Sequence, residues 1–167
     1  MRKSIVTASN VEVVSHYFFA DVWLNTSSRQ QSLNAAIAFK PGQVITKFQA
    51  GITQSFPTRL TLQIGLDKHI RLQPDCLQYT NHSCNPNTFF DTASMELVCI
   101  KPIETGDELS FFYPGTEWEM SQPFVCNCKS KTCLQLITGA AHLEKSTLEK
   151  YRLTDFINQQ LKSRTVE

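Results

Sequence analysis

Between Val11 and Leu24 the chain is dense in Val, Phe, Tyr and Trp, with polar residues interleaved in patches. That pattern predicts one or two strands, broken near Ser15-His16 or Ala20-Asp21. The polar run Asn25 to Ser32 reads as a loop and Ala35 to Phe39 as a short strand. Lys40-Pro41-Gly42-Gln43 is a turn signal leading into a strand at Val44 to Phe48. Thr61 to Leu66 and His69 to Leu72 alternate around Asp67-Lys68 as a hairpin would, and Met95 to Ile100 predicts a further strand. Lys101 to Asp107 is a turn-rich connector into Leu109 to Tyr113. Short strands at this spacing predict a mostly β domain of small sheets.

The periodicity changes near the C-terminus. From Leu143 to Leu161, Leu148, Tyr151, Phe156, Ile157 and Leu161 fall at roughly helical spacing, and Ser146 with Glu149 fits a capping box. One helix packed on the sheet is the expectation, ahead of a partner-binding helix. At 167 residues the chain suits one domain with a real core. Sixteen Lys plus Arg against fifteen Asp plus Glu leave a formal charge of +1, which argues against nucleic-acid binding driven by bulk charge. The charged start Met1 to Thr7 is not followed by an apolar run long enough for a signal peptide, and nothing approaches the roughly 20 apolar residues of a membrane span. A soluble intracellular protein, in cytoplasm or nucleus, is expected.

One stretch fits none of these patterns. Tyr79-Thr80-Asn81-His82-Ser83-Cys84-Asn85-Pro86-Asn87 packs amides, an imidazole and a thiol into nine residues with little to bury. So polar a segment inside a compact chain calls for a ligand, a metal or surface exposure. Six cysteines allow three disulfides or a metal site, and the close spacing of Cys126-x-Cys128-xxxx-Cys133 suits a metal better. Cys76 and Cys99 lie among apolar neighbours and read as core residues.

The Asn81-His82-Ser83-Cys84 box with Asn85-Pro86-Asn87, the run Gly106-Asp107-Glu108-Leu109 ending in Tyr113, and the cysteine cluster occur in this order. Together they resemble the SET domain of protein lysine methyltransferases with its post-SET zinc segment, over roughly residues 33 to 140. Tyr113-Pro114-Gly115-Thr116-Glu117-Trp118 and Gln122-Pro123-Phe124 look most like small stand-alone microbial members. The resemblance implies a β-clip-like fold with a knot-like crossing, in which the Asn81 segment tucks under a loop near Tyr113, plus a C-terminal helix. It divides the chain into a SET domain (1–122), a post-SET segment (123–140) and a helical extension (141–167).

The resemblance further implies a structural zinc on Cys84, Cys126, Cys128 and Cys133, tying a C-terminal flap to the central stretch. It places S-adenosylmethionine on Asn81 and His82 with Tyr79 along its edge, Ala36 beside it and Leu134 over the adenine. Tyr113 is the implied catalytic tyrosine. Phe111 is implied to set the width of the lysine channel and to allow more than one methylation. Trp118 either walls that channel or merely packs, and Phe112, where many relatives carry an acid, has no clear role. The expected partner is a protein or peptide presenting a lysine, to a monomeric enzyme that binds neither nucleic acid nor membrane.

The sequence departs from the family where relatives carry Gly-x-Gly. Here Leu33-Asn34-Ala35 stands, and glycine's freedom of close backbone approach is lost. The short insert between Phe48 and Tyr79 implies a shallow, open peptide groove. Two other readings therefore stay open: a SET-fold, zinc-containing protein-binding module without catalysis, and a purely structural zinc protein.

Overall fold

The computed structural model describes residues 10–164; the charged start at Met1 to Thr7 and the last three residues lie outside the described residues. Five small sheets make up most of it, as the strand pattern predicts. β1 (Val11–His16), β2 (Ala20–Asn25) and β3 (Gln31–Ala35) form an antiparallel meander. β4 (Val44–Lys47) pairs with β10 (Glu96–Cys99), which pairs in turn with β9 (Thr88–Asp91). β5 (Gln49–Gln54), β7 (Lys68–Gln73) and β6 (Thr61–Gly65) form a third sheet. Two-stranded pairs complete the set: β8 (Asn81–His82) with β11 (Ser110–Phe111), and β12 (Phe124–Val125) with β13 (Leu136–Ile137).

The main core explains which faces turn inward. Ala20, Val22 and Leu24 alternate along β2 and are all buried, as the period of two requires. Ala20 and Val22 join Leu33, Leu62, Ile70, Phe90, Leu97, Ile103, Leu109 and Phe111, so one apolar cluster serves four sheets. Cys76 and Cys99 lie within it, the core role their neighbours predict.

Several boundaries differ from the sequence reading. The first hairpin turns at Tyr17 to Phe19, between the two expected break points. The polar run ends early: Gln31 and Ser32 pair with β2, so β3 runs from Gln31 to Ala35 where a loop and a later strand are expected. The reason lies in Asn34. It is buried, yet its amide donates to Gly106 O and its carbonyl accepts from Ser32 Oγ, so a polar residue satisfies itself inside a strand. Phe39 keeps only a single bridge, to Ile103. The region between Phe48 and Tyr79 holds a complete three-stranded sheet, including the unexpected β5.

The C-terminal helix is broken. α1 (Lys145–Leu148) and α2 (Asp155–Arg164) are separate, and Ser146 lies inside α1, not at its cap. Thr154 starts α2 instead, accepting the Ile157 amide on its side chain and the Asn158 amide on its carbonyl. These helices do not rest on the main core. Leu148, Phe156 and Ile157 form a second cluster with Phe112 and Ala140, and Trp118 packs against it.

Candidate active site and cysteine centre

The polar stretch and the Tyr113 segment meet as parallel strands, β8 on β11, with Asn81 opposite Ser110 and His82 opposite Phe111. Asn87 locks the pairing from outside: its amide donates to Glu108 O and its carbonyl accepts the Ser110 amide. Gly106 stands at φ +93 in the preceding turn, a left-handed conformation that a side chain disfavours. The two stretches that the sequence marks as unusual are therefore adjacent in space.

A cavity of about 880 Å³ opens beside them. Tyr79, Asn81 and His82 line it together with Phe111 and Tyr113. Its other sides come from Ser28 to Gln31, from Pro57 to Leu62 beside β6, and from Met120 to Cys128. The segment between Phe48 and Tyr79 thus contributes a side of the cavity.

Asn81 spends both amide hydrogens within the protein, on Gln31 O at 3.0 Å and Glu108 Oε1 at 2.8 Å. It retains its carbonyl oxygen and backbone for a ligand. His82 is also engaged at both nitrogens. Nδ1 accepts the Tyr113 amide at 3.2 Å, which puts the hydrogen on Nε2, 3.3 Å from Cys84 Sγ. Burial pushes its pKa down to about 4, so the ring is neutral. His82 thereby connects Tyr113 to a cysteine.

Tyr113 points its hydroxyl at Thr80 O, 3.3 Å away. Burial, and then the charge of Glu117, push the phenol up to about 12, so it remains a neutral hydrogen-bond donor. Phe111 packs against it at 4.6 Å between ring centroids and is held in turn by Phe90 at 4.8 Å. Phe112 faces the other way and stacks on Tyr151 at 3.6 Å, while the Tyr151 hydroxyl donates to Cys84 O at 3.0 Å. Phe112, which the sequence leaves without a role, thus docks the C-terminal segment.

The sulfurs of Cys84, Cys126, Cys128 and Cys133 all lie within 4.8 Å of one another. Four thiolates at ~2.3 Å from one ion would stand a little under 4 Å apart, so this set fits a tetrahedral metal site. Backbone amides already aim at three of the sulfurs: Leu134 N at Cys84, Cys128 N at Cys126 and Gln135 N at Cys133. Such donors favour ionised sulfur, which metal binding requires. Burial raises the Cys84 and Cys126 thiols in the absence of a cation. All six cysteines are free thiols.

Three expected residues lie away from the cavity. Ala36 donates its amide to Phe19 O, Leu134 packs between the cysteine cluster and the C-terminal cluster, and Trp118 packs with the C-terminal cluster under Arg164. Of the two readings of Trp118, the geometry fits packing. One buried acid in the cavity lining is given no role by the sequence reading beyond its place in the Tyr113–Trp118 run: Glu117, at 8% exposure. Its Oε1 accepts the Gln63 amide at 2.9 Å and the Thr116 hydroxyl at 3.2 Å, and burial pushes its pKa up to about 7. Its only signal in the sequence is a carboxylate four residues past Tyr113 in an apolar setting.

Residues 9–114 match the profile of the SET domain. A methyltransferase of Aspergillus flavus, flvH, is 39% identical over 132 residues, spanning 78% of this chain and 74% of that protein.

Proposed function

The chain belongs to the SET-domain methyltransferases, and from this premise we propose that it transfers methyl groups from S-adenosylmethionine to the amine of a lysine side chain on a protein or peptide. The observation that carries this reading is the convergence of Tyr113, Phe111, Asn81 and His82, distant in sequence, on one cavity. Its volume is within the range of small-molecule sites, with a mixture of aromatic rings and a few fixed polar groups.

S-adenosylmethionine, when bound, supplies an activated methyl group on a sulfonium. Asn81, through its carbonyl and backbone, and His82, through its backbone, would hold it alongside Tyr79. Methyl transfer is an in-line displacement, so positioning does much of the work. Phe111 and Tyr113 form a narrow aromatic side that disfavours a charged amine, and the neutral Tyr113 hydroxyl orients the nitrogen. A free lysine has a pKa of about 10.4, and delivering it neutral near pH 7.5 costs roughly 3 units, or about 4 kcal/mol. The four cysteines would hold zinc as a closed structural site that fixes residues 123–140, the post-SET segment, against the domain before it. Among the described residues no helix is long and apolar enough to cross a membrane.

Calorimetric titration of S-adenosylmethionine into zinc-loaded protein tests the reading. Micromolar binding, weakened at least about tenfold by Asn81→Ala, is expected. A second reading has one observation in its favour: Leu33-Asn34-Ala35 is buried and bonded where relatives offer glycines, and Asn81's donors are spent. If no heat and no thermal shift are seen, the protein-binding module takes over.

A further inference from the structure

Glu117 is an expensive residue for its position. A buried carboxylate must be compensated by a cation or by hydrogen bonds to both oxygens. Here both bonds fall on Oε1, and among the described residues Oε2 has no hydrogen bond and the carboxylate no cationic partner. A glutamine would make the same two contacts without the cost of a buried charge.

The residue is nevertheless held at three places, its carboxylate, its own backbone and the backbone of the next residue. Gln63 N donates to it, while Gln63 Oε1 accepts the next backbone amide, Trp118 N, at 2.8 Å. Gln63 is itself fixed through Nε2, which donates to Gly65 O and Leu66 O. Ala140 N donates to Glu117 O and Ala141 N to Trp118 O. Gly139 lets that segment approach so closely that a Cβ there would lie 2.0 Å from Trp118 O. This is a preorganised group aimed at a cavity.

A second buried polar group belongs to the same lining. Thr80 Oγ1 makes no hydrogen bond, and Thr80 O is the atom that receives the Tyr113 hydroxyl. Tyr113 thus stands in contact with Thr80 and within the field of Glu117. An amine that reaches Tyr113 meets an acceptor-rich cleft with a free carboxylate oxygen.

We propose that Glu117 is the proton acceptor of this site: it pairs with the substrate's ammonium and takes its proton, releasing a neutral amine beside Tyr113. This rests on the lysine-methylating reading. The steps balance: R–NH3+ and the Glu117 carboxylate give R–NH2 and the Glu117 carboxylic acid. The nitrogen lone pair then forms the N–C bond as the C–S bond of the sulfonium donor breaks, and Glu117 returns its proton to solvent. The pKa of Glu117, pushed by burial up to about 7, suits a general base at neutral pH. The other charged or titratable groups around it do not mask this step. Tyr113 and His82 are neutral at this pH, His69 across from Gln63 is buried with its pKa lowered, and Arg59 and Glu108 are exposed.

The test is calorimetric titration of n-butylammonium into wild-type and Glu117→Gln protein at pH 6 and pH 8, with kcat/KM profiles on a lysine peptide. Wild type is expected to bind about tenfold more tightly at pH 8, following ionisation of the carboxylate, and to show an acidic limb near pH 7. Glu117→Gln should bind at least about tenfold more weakly at pH 8 without that pH dependence, and its rate should climb steadily with pH. Glu117→Asp should restore the pH dependence at lower affinity. If Glu117→Gln keeps wild-type affinity and the same limb while peptide is methylated, this inference fails and the methyltransferase reading stands. If wild type shows the butylammonium pH dependence but no lysine peptide is methylated, the carboxylate's role as amine receptor holds and the substrate reading falls.

Discussion

Phe111 and Tyr113 differ by one oxygen, and they lie ring against ring over the cavity. A hydroxyl on Phe111 would add a donor where that ring now offers only carbon and, on the proposed reaction, would fill space that a methylated amine needs. Phe111→Tyr should therefore shift the product of a lysine peptide toward the monomethyl form, while wild type proceeds further; mass spectrometry of the products decides. A wild type that stops at monomethyl, with a variant that behaves identically, would remove Phe111 from the channel. At this scale the sequence exposes Asn81, His82, Tyr113 and the four cysteines through unusual residue types at fixed spacing. Glu117 is hidden because one glutamate among ordinary residues carries no pattern, and only burial makes it unusual. Phe112 and Tyr151 are hidden for a related reason: a stacking partner thirty-nine positions away leaves no local trace.

Elements are legible where apolar and polar positions alternate, as in β2. They were misread where polar side chains satisfy themselves in the interior, as Asn34 does in β3, or where a cap such as Thr154 interrupts a helical pattern. The site depends on elements that local pattern cannot pair, above all β8 with β11 and the β12–β13 hairpin with Cys84. The hairpin has two short strands and little core of its own, so the metal should supply its order. Chelation is expected to strip hydrogen-exchange protection from residues 124–137. It should also weaken protection of the Tyr113 amide, because its acceptor His82 leans on Cys84. Protection at Tyr113 that is indifferent to chelator would show that the cysteine centre and the tyrosine are independent.

For the molecule as a whole, Glu117 makes stability depend on pH in an unusual direction. Its folded pKa of about 7 lies above the ~4.3 of an unfolded glutamate, so between these values the folded chain holds a proton that the unfolded chain releases. Its contribution is most favourable below about pH 4.5 and is lost as pH rises through 7. Glu117→Gln should thus melt above wild type at pH 8, by an amount of order 2–4 kcal/mol, and the gap should close toward pH 5. A variant less stable than wild type at pH 8 would mean that the carboxylate is there for the fold.

The cysteine centre also has a history in time. Cys84 waits for Cys126 to be synthesised before its cluster can begin to form, and for Tyr151 before its backbone is covered. At ~5–20 residues per second, the first interval lasts about 2–8 seconds. During those seconds the thiol is open to oxidants and to the wrong sulfur partner, so the redox state around the ribosome, and not the finished fold, decides how many chains reach the metal-ready form.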